Sequence, residues 1–209
     1  MEQTYSPEDF SKMTRIPRMN LINSLSGIKG AHLIGTINPV TGVPNLSLFS
    51  SVIHIGADPA MLGILSRPVE LDRKTSRHTY ENIQATKVFT INHVNTDIFK
   101  MAHQTSASYP DGISEFDAVG LTPQYSEVLK APYVAECRVK MGLEYVEEYF
   151  IKANSTILII GKIIELIVPQ GGVSDDGHLH LSNLGSVCVE SLDRYHSTEY
   201  LATLPYARP

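Results

Sequence analysis

The stretch NLSLFSSVIHIGADPAMLGILSR, Asn45 to Arg67, decides how the rest of the chain is read. It reads as two strands joined by a turn. From Asn45 to Ser51 small polar side chains (Asn45, Ser47, Ser50, Ser51) recur among apolar ones, and the run then turns apolar through Val52. Ala57-Asp58-Pro59 breaks it, because proline fixes φ and has no amide hydrogen to offer a ladder. The second run, Ala60 to Leu65, ends in Ser66-Arg67-Pro68, so a hydroxyl and a guanidinium meet at a strand end.

A few residues on, Arg73, Lys74, Arg77 and His78 crowd together with Thr75, Ser76 and Thr79, just ahead of a helical Tyr80-Glu81-Asn82-Ile83. Free amides, capping hydroxyls and basic side chains at a helix start suit a phosphate. The chain as a whole carries −5, so this local positive excess runs against its average. A solvated basic surface loop is the competing reading.

Upstream, Ala31 to Ile37 is a strand, and Asn38 to Pro44 is rich enough in turn formers to make a hairpin with the organising stretch. Ser6-Pro7-Glu8-Asp9 opens a short helix, with serine as cap, proline at the first position and acids at the positive end of the dipole. A second short helix falls within Arg15 to Leu25. Downstream come a helix over Ser76 to Gln84, a strand over Lys87 to Val94 and a helix from Thr96 to His103. A hydroxyl-rich loop from Thr105 to Gly112 follows, then a short helix from Ser114 that Gly120 stops and Pro123 keeps stopped. From Tyr133 the signal is β: Tyr133 to Tyr149, Ser155 to Val168, His178 to Leu181 and Ser186 to Leu192. A capped helix at Ser197 to Leu201 and an exposed Leu204 to Pro209 close the chain. Strands in antiparallel succession with few helices between them predict a barrel, mainly β with peripheral helices, rather than a doubly wound sheet.

With 209 residues, 43% of them apolar, the chain suits one domain with a real core, expected over 25–209 behind a helical extension at 1–24. Its acidity, with a pI near 5.9, argues against general nucleic-acid binding. The first ten residues are acidic and polar, unlike a secretory signal. The longest apolar run, Ile157 to Val168, is too short for a bilayer and carries Gly161, Lys162 and Glu165, so it reads as a buried strand. A cytoplasmic protein with no membrane partner is the expectation.

Cys137 and Cys188 make neither a disulfide framework nor a zinc site and read as small apolar fillers in strands. His178-Leu179-His180 would set two imidazoles on one face of a strand with Asp175 and Asp176 close by. A polar strand edge beside a turn gives the same pattern, and no metal is expected. No Gly-x-Gly-x-x-Gly follows a strand, and neither a P-loop nor a Gly-x-Ser-x-Gly is present.

What remains is a planar, phosphorylated ligand along Asn45 to Val52. Backbone amides and the hydroxyls of Ser47, Ser50 and Ser51 would bond the polar edge of a heteroaromatic ring, while Leu48, Phe49 and Val52 supply apolar contact. Ser66, Arg67, Arg77, His78 and Thr79 would hold its phosphate by charge-assisted bonds. Flavin mononucleotide fits that description better than a free sugar phosphate.

Several strings in order carry a resemblance. They are Asn45-x-Ser-x-Phe-Ser-Ser, Asp58-Pro59, the strand end Ser66-Arg67, Thr79-x-x-Asn82-Ile83, Ser114-Glu115-Phe116, Gly120-Leu121-Thr122-Pro123 and Leu204-Pro205-Tyr206. Together they resemble the flavin reductase-like proteins, flavoredoxins included, over roughly residues 25 to 209. The resemblance implies an FMN-binding split β-barrel, a homodimer with flavin sites near its interface, FMN or alternatively FAD as cofactor, and NADH or NADPH as electron donor. It implies that the ring lies on the Asn45 to Val52 strand and that the loop His103 to Ala107, with Ser106 and Ala107, approaches it. Where the family often shows Lys-Asp-Thr, this chain has Arg77-His78-Thr79, which keeps the charge and loses the aspartate.

Hydride transfer is the cofactor's chemistry, and the protein supplies orientation and exclusion of water. His103 is the one acid–base candidate. Two functions are expected from these residues: an NAD(P)H-dependent flavin or ferric reductase, or alternatively a non-catalytic FMN-binding electron carrier or sensor reduced by a partner protein.

Overall fold

In chain order the elements are α1 (Pro7–Lys12), α2 (Arg15–Ser24), β1 (Lys29–Gly30), β2 (His32–Ile37), β3 (Pro44–Phe49), β4 (Val52–Ala57) and β5 (Ala60–Ser66). Then follow α3 (His78–Thr86), β6 (Val88–His93), α4 (Phe99–Gln104), α5 (Glu115–Val119), β7 (Pro123–Gln124) and β8 (Tyr133–Val134). The last are β9 (Lys140–Ile151), β10 (Thr156–Ile167), β11 (Val187–Glu190) and β12 (Arg194–Ser197). The structure is a computed structural model that describes residues 2–67, 78–110 and 112–208.

The organising stretch makes three strands, not two. β3 and β4 are separated only by Ser50 and Ser51, yet they lie at opposite edges of a seven-stranded antiparallel sheet ordered β3-β2-β6-β9-β10-β5-β4. A two-residue link spans at most about 10 Å. The sheet must therefore curl until its edges nearly meet. The Leu65 N–H donates to the Ser51 carbonyl at 3.1 Å where the chain changes edge, while no ladder joins β3 to β4. The result is mainly β and barrel-like but not closed, the split barrel that the resemblance implies.

β2 is buried almost throughout, and its alternation feeds two cores. Ile34 points inward with Ile64, Ile83, Phe89, Ile91, Leu143 and Ile159. Leu33 points outward to Leu46, Val94, Ile98, Ala102, Phe116 and Val187, beneath α4, α5 and a second sheet ordered β1-β11-β12. Each such side chain contributes about 1.5–3 kcal/mol on burial. Gly35 sits where a Cβ would come within 2.1 Å of the Pro132 carbonyl oxygen, so the loop before β8 can lie directly on β2.

α1 is closed by a capping box, Ser6 Oγ accepting from the Asp9 amide at 3.2 Å and the Asp9 carboxylate accepting from the Ser6 amide at 2.8 Å. Neither α1 nor α2 buries a residue. Among the described residues no helix is long and apolar enough to cross a membrane.

Four expectations need correction. Tyr133 to Tyr149 is broken after Val134 by a turn and resumes as β9. Cys137 fills the core from that break rather than from a strand, while Cys188 lies in β11, and both thiols are free. His178 to Leu181 forms turns with a single bridge, Val173 to Leu179, so His178 and His180 do not share a strand face. His178 instead pairs with Asp176 at 3.0 Å, the spacing that a tight turn favours. Finally, Ser197 ends strand β12, and 198–208 has no regular structure. Ladder bonds to β11 override the local capping signal.

Candidate functional site

A cleft of about 930 Å³ opens where the two edges of the curled sheet approach. Three walls form it, and the sequence anticipates parts of each.

The first wall is β3 with its crossover: Asn45, Ser47, Leu48, Phe49, Ser50 and Ser51. β3 is an edge strand, so alternate amides point away from β2. One of them, the Leu46 N–H, donates to Glu115 Oε2 at 2.9 Å from the start of α5. The period of two puts the Leu48 amide on the same outer edge, at the cleft. Burial raises the Glu115 carboxyl above its ordinary value, while the Leu46 amide, its own amide and His78 act in the opposite sense.

The second wall is Ser66 and Arg67 at the end of β5, facing His78, Thr79 and Tyr80 at the start of α3. A buried amide–hydroxyl chain fixes that helix start. Asn45 Nδ2 donates to Thr36 Oγ1 at 3.3 Å and to Thr79 Oγ1 at 3.1 Å, and Asn82 Nδ2 donates to Thr36 Oγ1 at 3.1 Å. Thr36 is fully buried. The Asn45 amide thus ties β3 to α3. At the outer side Tyr80 donates to Glu148 on β9 at 2.9 Å.

The third wall is His103 near the end of α4 and Ser106, Ala107 and Tyr109 in the loop after it, together with Val189, Ser191, Leu192 and Asp193 around the β11–β12 turn. Tyr195 lies between Phe99 and His103, residues one turn apart on α4, with ring centroids 5.6 Å from each. Burial, followed by Asp193, pushes the Tyr195 hydroxyl up to about 12. That hydroxyl shares a hydrogen bond with His103 Nδ1, 3.0 Å away.

Of the residues expected to bind a cofactor, Asn45, Ser47, Ser50, Ser51, Ser66, Arg67, His78, Thr79, Ser106 and Ala107 come together on this one cleft, and His103 joins them. Val52 does not line it. Its side chain begins β4 beyond the crossover and packs into the barrel core with Ile64 and Ile159. Arg77, with Arg73 and Lys74, falls outside the described residues. Glu115, Tyr109, Ser191, Asp193 and Tyr195 were not anticipated, because nothing local in the sequence brings α5 or the β11–β12 turn to β3. In sequence the Ser114-Glu115-Phe116 string reads as a helix start and as part of a resemblance, not as a site.

Residues 28–183 match the family model of the flavin reductase like domain. A crystal structure from Shewanella frigidimarina NCIMB 400, described as a flavin reductase with a split barrel domain, superposes with a TM-score of 0.92 at 42% identity, covering 99% of this chain and 100% of that one. The flavoredoxin of Desulfovibrio vulgaris (Miyazaki F) shares the fold at 21% identity with a TM-score of 0.71, over 87% of this chain and 92% of its own. An uncharacterized protein of Aquifex aeolicus is 28% identical over 142 residues, 60% of this chain and 70% of that protein.

Proposed function

We propose a flavin-reducing role for this chain, which belongs to the flavin reductase like domain family: an NAD(P)H-dependent oxidoreductase that holds FMN in the cleft and passes a hydride to it. The observation that carries the proposal is the convergence on one cleft of a hydroxyl-lined edge strand, Asn45 to Ser51, with the Arg67 and α3 start. Its volume falls within the range of small-molecule sites, roughly 300–1,000 Å³. The donor set also suits the group. Ser47, Ser50 and the outer-edge Leu48 amide line the cleft and would hydrogen-bond a polar ring edge. Ser66, Arg67, Thr79 and the amides at the positive end of α3 suit a phosphate. FAD, with a longer tail, is the alternative cofactor.

When bound, the flavin supplies the hydride-accepting chemistry. The residues of this chain orient and protect it. Asn45 and Asn82 hold the α3 start in place, Glu115 holds the edge of β3, and the loop from His103 to Tyr109 shields the cleft from water. The imidazole of His103, held by Tyr195 through Nδ1, is the group that would hydrogen-bond a reduced ring. NADH or NADPH is the donor, and the cytoplasm the proposed compartment.

A homodimer is part of the same proposal. The outer face of β4, β5, β10 and β9 carries Ile53, Leu65, Leu158 and Tyr149 in adjacent rows, and Ile53 and Tyr149 are 45% and 53% exposed. Over Ile157 to Ile160 β10 is apolar on both faces, a pattern built to be covered on both.

The test is nicotinamide oxidation by FMN-loaded protein with free flavin or ferric ion as acceptor. Turnover with NADH or NADPH is the expected result. If neither is oxidised, the reductase proposal fails. Flavin that is reduced only after a partner protein is added would instead mark an electron carrier.

A further inference from the structure

We infer that the segment after β12, residues 198–208, is a docking arm that seats on a second copy of this chain. Tyr200, Leu201, Leu204 and Tyr206 are 65%, 88%, 81% and 88% exposed, four large apolar side chains within seven residues. The arm is rooted firmly. Ser197 pairs with Val187, and Thr198 Oγ1 donates to the Ser186 carbonyl at 3.2 Å, beside the third wall of the cleft. Beyond that root the arm's side-chain hydrogen bond among the described residues is local, between Tyr200 and Thr203 at 2.7 Å.

Its composition is wrong for a solvated linker. Glu199 and Arg208 are its two charged residues, it has no glycine, and Pro205 stiffens it, which lowers the entropy lost on docking. The superposition on the Shewanella frigidimarina structure covers 99% of this chain, which leaves room for only about two unmatched residues there.

The occupant's size matches a second copy. Two tyrosines bury roughly 300–500 Å². Arms exchanged about a two-fold axis double that figure, and the leucines and the receiving face add to it, which reaches the roughly 1,200–2,000 Å² of stable interfaces. From Ser197 to Tyr206 an extended chain reaches about 30 Å, enough to cross to a neighbour. The receiving surface is the apolar outer face of β4, β5, β9 and β10, so the inference rests on the homodimer proposed above.

The test is sedimentation equilibrium of the full chain and of a Leu201→Asp/Leu204→Asp variant, with thermal unfolding as the check that both are folded. The inference expects a wild-type dimer at micromolar concentration and a dimer dissociation constant at least tenfold higher in the variant. A variant dimer as tight as wild type overturns the arm and leaves the dimer standing. A wild-type monomer overturns both. As a second readout, a photo-crosslinker placed at Tyr206 in a mixture of isotopically heavy and light copies should give heavy–light peptides. Links confined to one copy would refute exchange.

Discussion

Acidification should destabilise this fold well before its carboxylates are titrated, because of two histidines in the wall between the cores. His32 on β2 and His93 on β6 are direct register partners, with ring centroids 4.7 Å apart and edge to face. Burial, then the neighbouring His93, pushes His32 down to about 3, and burial pushes His93 down to about 4. His32 Nδ1 is buried without a hydrogen-bond partner among the described residues. Both rings are therefore neutral in the native state well below the pH at which an unfolded histidine charges, near 6.5. The sign follows from proton counting: below 6.5 the unfolded chain binds protons that the native chain refuses, so the stability present above 6.5 is lost as pH falls. Each histidine contributes up to about 1.4 kcal/mol per pH unit, so the pair removes about 2.5 kcal/mol between pH 6 and 5. Set against a total of about 5–15 kcal/mol, that is a large share. Urea unfolding at pH 7, 6 and 5 reads it directly. His93→Gln, which removes one titrating ring, should roughly halve the loss between pH 6 and 5. Equal slopes for wild type and variant, or a flat wild-type profile, would refute the reasoning.

Three further outcomes follow from the geometry. Arg67→Ala should weaken FMN binding by about 1.5–3 kcal/mol, the scale of a hydrogen bond to a charged group; unchanged affinity in a fluorescence titration would put the phosphate elsewhere. Asn45→Ala breaks the bonds to Thr36 and Thr79, and should lower the urea-unfolding free energy by about 1–3 kcal/mol while also weakening FMN binding; a stability loss with unchanged affinity would remove the link between the strut and the site. Gly35→Ala drives a methyl into the Pro132 carbonyl and Thr90 Oγ1, and should cost about 3 kcal/mol or prevent soluble expression, whereas a variant as stable as wild type would show that the loop can move aside.

Much of the barrel was legible because its strands carry local signals: the apolar runs of β2, β5, β6 and β10 and the breaks at Asn38–Pro44 and Asp58-Pro59. The crossover at Ser50-Ser51 was not. Those serines read as ligand hydroxyls, which the cleft permits, but they also mark where the chain leaves one sheet edge for the other. That is a property of topology rather than of any window of sequence, and it is why Val52 faces the core. β12 was missed for a similar reason, since Ser197-Thr198-Glu199 is a sound helix start until β11 offers Arg194 to Ser197 a ladder. The parts of the cleft read directly from the residues, β3, Ser66-Arg67 and His78-Thr79, are close to one another along the chain, and the resemblance added His103, Ser106 and Ala107. The parts it missed come from far away. Glu115 meets Leu46 across 69 residues, and Tyr195 meets His103 across 92.

The most direct test of the account is the flavin absorbance of FMN-saturated protein without oxygen, before and after NADH or NADPH is added. Bleaching of the bound flavin by at least one nicotinamide is the predicted result. FMN that never binds, or that binds and stays oxidised with both, would contradict it.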